Sequence, residues 1–143
     1  MVMQRPDRPP TDRYTWQRQT IRETYRRICR DPSSPWLAVG DFLDDWRRSA
    51  PEDRLALVEE GIVVVAADQI LRRWAAFCSA MVEWLCWQDH LAFPPWTAGA
   101  EFRLDEPWFL YPGLALRPWQ LASTPASFKM RNIFGGDYML DRM

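Results

Sequence analysis

Histidine and lysine are almost missing from this 143-residue chain: His90 is the only histidine and Lys129 the only lysine. One histidine leaves any Ser-His or Cys-His catalytic pair a single possible base. It also starves the usual zinc ligand sets. The three cysteines are an odd count without a CxxC pair, so no disulfide framework is expected, and reduced thiols in a cytoplasmic protein are. The longest purely apolar run, "IVVVAA" from Ile62 to Ala67, is far too short to span a membrane. "MVMQRPDRPP" has arginines but no apolar stretch behind it, so no secretory signal is expected. The six glycines never fall into GxGxxG or GxxxxGK[ST], the spacings that cradle phosphates between a strand and a helix.

Tryptophan and arginine are abundant instead. Nine tryptophans are too many for a core of this size to hide with ease, and large exposed aromatics favour a protein partner. Arginine pairs bidentately and stacks on aromatic rings, so a surface of Arg and Trp is adhesive. The net charge of −1 is uneven. Residues 1–30 hold eight arginines and three acids, whereas residues 31–68 hold nine acids and three arginines. A basic first helix lying on the acidic middle of its own chain accounts for this. A nucleic-acid contact through Arg22, Arg26 and Arg27 is the rival account, disfavoured by a pI near 5.8.

Hydrophobic periodicity predicts a mainly α-helical single domain of four to six helices over residues 11–143, preceded by a disordered Pro/Arg-rich arm over residues 1–10. A first helix is expected from Thr11 to Arg30, with Tyr14, Ile21, Tyr25 and Ile28 on one stripe and Trp16 opposite. A second opens at Ser34-Pro35, with Trp36, Val39, Phe42, Leu43 and Trp46 on one face. Ser49 and Glu52 match a capping box for a short third helix that ends at Gly61. The central helix runs at least from Ala66 to Trp87, and its wide apolar arc, Ile70 included, implies several neighbours. "IVVV" before it reads equally as a short strand. From Pro94 onward prolines alternate with Trp96, Trp108 and Trp119, predicting a long ordered segment with short helices in "LRPWQLAS" and after Thr124-Pro125.

No motif reads as chemistry. Cys86 and His90 are four apart on the central helix, but two ligands do not make a zinc site. Asp41, Asp44 and Asp45 resemble a magnesium cluster, yet lie opposite the apolar face of their helix and read as solvated. Gly135-Gly136 reads as a helix stop with a flexible joint, Phe128 and Phe134 as anchors, and Arg131 as facing outward. No catalytic residue, metal or cofactor is expected, and the protein is expected not to be an enzyme.

"GDFLDDWRR", "WAAFCSAMVEWL", "FPPW" and "DEPWFLYPGLALRPWQLASTPASFKMRNIF" together resemble a group of small uncharacterised bacterial proteins and C-terminal domains. In that group a central helix is followed by a Pro-Trp motif, a "PWF" turn and an "SPAxFRxRxIF"-like end. The resemblance covers roughly Gly40 to Asp137. Members look like components of toxin–antitoxin-type gene pairs, some fused to helix-turn-helix domains. It implies an antitoxin-like neutralising role against a partner encoded nearby. This chain lacks an obvious N-terminal DNA-binding domain, so an autoregulatory DNA role does not carry over. The expected partner interface comprises Trp16, Trp87, Arg103, Trp108, Phe109, Arg117, Trp119 and Arg131.

Overall fold

The computed structural model describes residues 17–141. Helix α1 (Ile21–Arg30) starts where Thr20 accepts a hydrogen bond from the Glu23 amide at 3.1 Å, an N-cap that satisfies an otherwise orphaned donor. Residues 17–20 are not helical, so the expected start at Thr11 is corrected within that stretch; residues 11–16 lie outside the described residues. Ile21, Thr24, Tyr25 and Ile28 recur at helical spacing and form the buried face of α1. That face packs against α2 (Pro35–Arg48) and α4 (Gln69–Gln88).

Helix α2 begins at Ser34-Pro35 as expected, although the Ser34 side chain makes no cap hydrogen bond. Val39, Phe42, Leu43 and Trp46 are buried, while Trp36 stays exposed with its ring edge-on to Trp74 at 5.3 Å. The short α3 (Pro51–Arg54) has Ala50 at its N-cap. Ser49 does not form the predicted capping box, because its hydroxyl donates back to the Asp45 carbonyl at 2.7 Å. "IVVV" forms neither helix nor strand.

Helix α4 is the axis of the molecule. Asp68 caps it by accepting from the Ile70 and Leu71 amides at 2.8 and 3.1 Å. From Leu71 to Cys86 nearly every side is buried, as expected for a helix surrounded by neighbours. Ile70 is the exception; it precedes the enclosed stretch and is exposed. The helix ends on His90, whose φ of 58° places it in the left-handed region, and Leu91 N–H closes the turn onto the Cys86 carbonyl at 2.8 Å. His90 thus serves the backbone as a helix stop. No described helix is long and apolar enough to cross a membrane.

Beyond α4 the chain wraps the helix with two 3-10 turns, Pro95–Ala98 and Ala100–Phe102. Two-residue strands β1 (Trp108–Phe109) and β2 (Ile133–Phe134) then pair in parallel, Trp108 opposite Ile133 and Phe109 opposite Phe134. Between them lie a 3-10 turn (Leu114–Leu116), α5 (Arg117–Ser123) and α6 (Ala126–Lys129). The result is a mainly α-helical fold of six α-helices among the described residues, around one contiguous core.

Candidate functional site

The C-terminal segment owes its order to polar side chains rather than to regular structure. Gln120, fully buried on α5, accepts from the Tyr111 amide at 3.1 Å and donates to the Tyr111 carbonyl at 3.0 Å. An amide side chain that matches both groups of one residue holds the Tyr111–Leu116 loop as a strand neighbour would. Thr124, buried at the end of α5, accepts from the Gly135 and Gly136 amides at 3.0 and 2.8 Å. These two residues tie α5 to both flanks of the segment. Sequence reasoning passed over Gln120 and took Thr124 as the start of the next helix, whose N-cap is Pro125 instead.

Gly135-Gly136 is not the predicted helix stop. Asn132 takes the turn after α6, with φ of 67°, and β2 intervenes before the glycines. Side chains crowd the pair. A Cβ on Gly135 would strike Met139 and Leu110, and one on Gly136 would strike the Trp119 indole. Gly136 also has φ of 78°, which a side chain disfavours. Two buried N–H groups meet one hydroxyl here, so the pair is a packed crossing rather than a flexible joint.

This framework fixes an aromatic surface. Phe109 stacks on Phe134 with centroids 5.1 Å apart, and the Arg117 guanidinium lies over Phe109 at 4.8 Å. Trp119 contacts Tyr111 at 5.8 Å and stacks on Tyr138 at 6.3 Å. Of these rings Tyr111 and Tyr138 (63%) are exposed, and so are Leu114 (75%), Leu116 and Leu121 of the same segment. Burial elsewhere cannot explain these side chains, and singly scattered ones would need no explanation; a row joined by ring contacts does. At the far end of α4, Trp84 and the exposed Trp87 stack at 5.3 Å. A small cavity of about 150 Å³ is lined by Trp84 from α4 and by Gly136 and Met139 from the C-terminal segment.

The expected interface therefore divides. Arg117 meets Phe109, Trp119 joins Tyr111 and Tyr138, and Trp87 contacts neither group but stacks on Trp84. Trp108 is half-buried and packs on Trp74 at 5.1 Å, with Arg73 over its ring at 5.6 Å. Arg103 is exposed beside a cavity of about 300 Å³ that Arg73 also lines. Trp16 lies outside the described residues. Arg131 is a correction: it is buried at 3% exposure and cannot meet a partner. Its guanidinium forks onto the Glu83 carboxylate, Nη1 to Oε1 at 3.2 Å and Nη2 to Oε2 at 2.9 Å. It also donates to the Ser127 and Thr97 carbonyls at 2.7 and 2.8 Å. Glu83, a lone acid within an apolar run, was the overlooked sign that a buried cation had to meet it.

The basic helix is partly used within the molecule. Arg27 pairs with Asp41 at 2.9 Å and donates to Gln19, and Arg22 donates to the Gly61 carbonyl at 2.7 Å. Arg26 is exposed and forms no ion pair among the described residues. Asp45 departs from its expected solvated position, since it is buried and accepts from the Gln19 amide at 2.8 Å.

Chemistry elsewhere is muted. Burial pushes the thiol of Cys78 well above its ordinary range and that of Cys86 up to about 11, so both resist becoming nucleophilic thiolates. Among the described residues no three His, Cys, Asp or Glu side chains converge as a metal-ligand set. Fold and surface together define a mainly α-helical protein with a rigidly held aromatic face. No protein-family model, curated protein or solved structure matches this chain.

Proposed function

We propose that this protein acts without catalysis, by covering a protein partner with its C-terminal aromatic surface, as an antitoxin-like protein neutralises a bacterial effector encoded nearby. The observation that supports the partner role is the joined set Tyr111, Trp119 and Tyr138 with Leu114, Leu116 and Leu121 exposed in the same segment. Such a set matches the aromatic-rich centre of protein interfaces, and its rigid mounting lowers the ordering cost of association. The adjoining cavity of about 150 Å³ is smaller than an ordinary small-molecule site, which runs from about 300 Å³. The antitoxin character rests on the resemblance over Gly40–Asp137. The test is co-expression with the product of the adjacent gene, read as a stable complex and relief of that product's toxicity. Failure of both, with this chain folded, refutes the proposal.

A further inference from the structure

A second surface, remote in sequence from the aromatic face, has its own recognition chemistry. Arg22, Arg26 and Arg30 follow one another at i, i+4 and i+8 along one side of α1, and they rim a groove of about 310 Å³. Across the groove stand Val63 and Val65, and Tyr25 and Cys29 line it between the two sides. The segment facing α1 alternates like a strand: Ile62 buried, Val63 exposed at 76%, Val64 half-buried, Val65 exposed. No backbone hydrogen bond joins Ile62, Val63 or Val64 to any other described residue. Its ends are pinned. Val65 N–H donates to Tyr25 Oη at 3.1 Å, and Gly61 C=O accepts from Arg22 Nε at 2.7 Å. A β-branched segment whose donors and acceptors meet no backbone partner among the described residues is a template for another extended chain.

We propose that this groove binds an extended segment of a protein partner in which apolar and acidic residues alternate. The segment pairs its backbone with Ile62–Val64, packs its apolar side chains against Val63 and Val65, and presents carboxylates to the arginine rim. Charge selects this occupant. Arg30 is met by Glu23 at 2.8 Å and Arg22 by Glu60 at 4.0 Å, while Arg26 has no acid among the described residues. A second copy of this chain would bring two arginine rims together, which like-charge repulsion opposes. Single-stranded nucleic acid needs an open aromatic face for its bases. The aromatic residue here, Tyr25, is 2% exposed, with its hydroxyl held by the Leu71 carbonyl at 2.9 Å. The proposal takes from the preceding section only that the partner is a protein.

Hydrogen exchange and NMR titration of the full chain test it, using a short soluble peptide of alternating valine and glutamate, its lysine counterpart and oligo-dT as probes. The glutamate peptide is expected to slow exchange at the Ile62–Val64 amides and to shift their resonances. Arg26→Glu is expected to weaken that binding about five- to tenfold, as is consistent with loss and reversal of an exposed pair. Val63→Pro, which deletes an N–H and leaves the rim intact, is expected to abolish it. Circular dichroism establishes that both variants remain folded. The proposal is overturned by equal binding of the lysine peptide, by binding of oligo-dT alone, or by absence of any shift at millimolar peptide. Amides already protected in the free protein overturn it too: independently of concentration they mean the chain's own remainder fills the groove, and with concentration a second copy. If the neighbouring gene's product binds yet ignores Arg26→Glu and Val63→Pro, the groove proposal fails and the partner role stands. If the peptide binds but that product does not, the reverse holds.

Discussion

Arg131 and Glu83, 48 residues apart in the chain, meet as a buried bidentate ion pair with a closest approach of 2.9 Å. The pair joins the end of the C-terminal segment to the middle of α4. Thr97 completes it, its hydroxyl donating to Glu83 at 2.8 Å while its carbonyl receives Arg131 and Ser79. Removing one charge strands the other. Arg131→Leu is therefore expected to destabilise the protein by about 3–5 kcal/mol, and the double change Arg131→Leu with Glu83→Leu to recover most of that loss. Chemical denaturation of the three proteins decides it; a stable single variant would contradict the buried pair.

Thr124 satisfies two buried amides with one hydroxyl. Thr124→Val keeps the shape and removes the acceptor, and is expected to cost about 1–3 kcal/mol, while Thr124→Ser stays close to the parent. Gly136→Ala is expected to be worse than its small size suggests, because a Cβ there meets Trp119 at a positive φ. Thermal melts that rank Ser above both others support the crossing described here.

Arg27 and Arg26 are neighbours in sequence but differ in use. Arg27→Ala is expected to lower stability by about 0.5–1 kcal/mol through loss of Asp41 and Gln19, and Arg26→Ala to stay within about 0.5 kcal/mol. Equal effects in urea titrations would show that α1 does not use Arg27 to hold α2.

The aromatic face should be separable from the fold. Leu114→Asp and Tyr138→Asp alter exposed side chains, so their melting points are expected to stay near the parent's. Capture of the neighbouring gene's product is expected to fall more than about tenfold, as at the centre of an interface. Unchanged capture by both variants would move the partner site elsewhere.

Alkaline pH should expose the buried thiols. Desolvation, with Asp89 and Glu83 adding, raises Cys86 to about 11, whereas an unfolded cysteine ionises near about 8.5. The folded value is the higher one, so this contribution is complete below the unfolded value and is lost as pH climbs toward 11. Cys86 is expected to remove up to about 1.4 kcal/mol per pH unit in that window. Cys86→Ala should flatten the decline in melting temperature above about pH 8.5; identical slopes would discount the thiol.

By itself the sequence determined the helical class, the central helix apart from its start, which is Gln69 rather than Ala66, and the buried faces of α1 and α2 apart from Trp36. Each of those depends on spacing within a few residues, which the chain states directly. Proline at the start of α2 and the apolar arc of α4 were legible for that reason. The aromatic face was half legible: Phe109, Arg117 and Trp119 make ring contacts there, but Phe109 and Trp119 are half-buried, and the exposed rings of the segment are Tyr111 and Tyr138. Tertiary structure alone decided the rest. Arg131 turned inward because Glu83 and two carbonyls lay within its reach once the C-terminal segment crossed α4. The glycine pair became a packed crossing because Trp119 of α5 and Leu110 beside β1 meet it there. "IVVV" stayed unpaired because no neighbouring strand came beside it among the described residues. In each case partners far apart in sequence set the outcome, and local periodicity carries no information about which distant groups will meet.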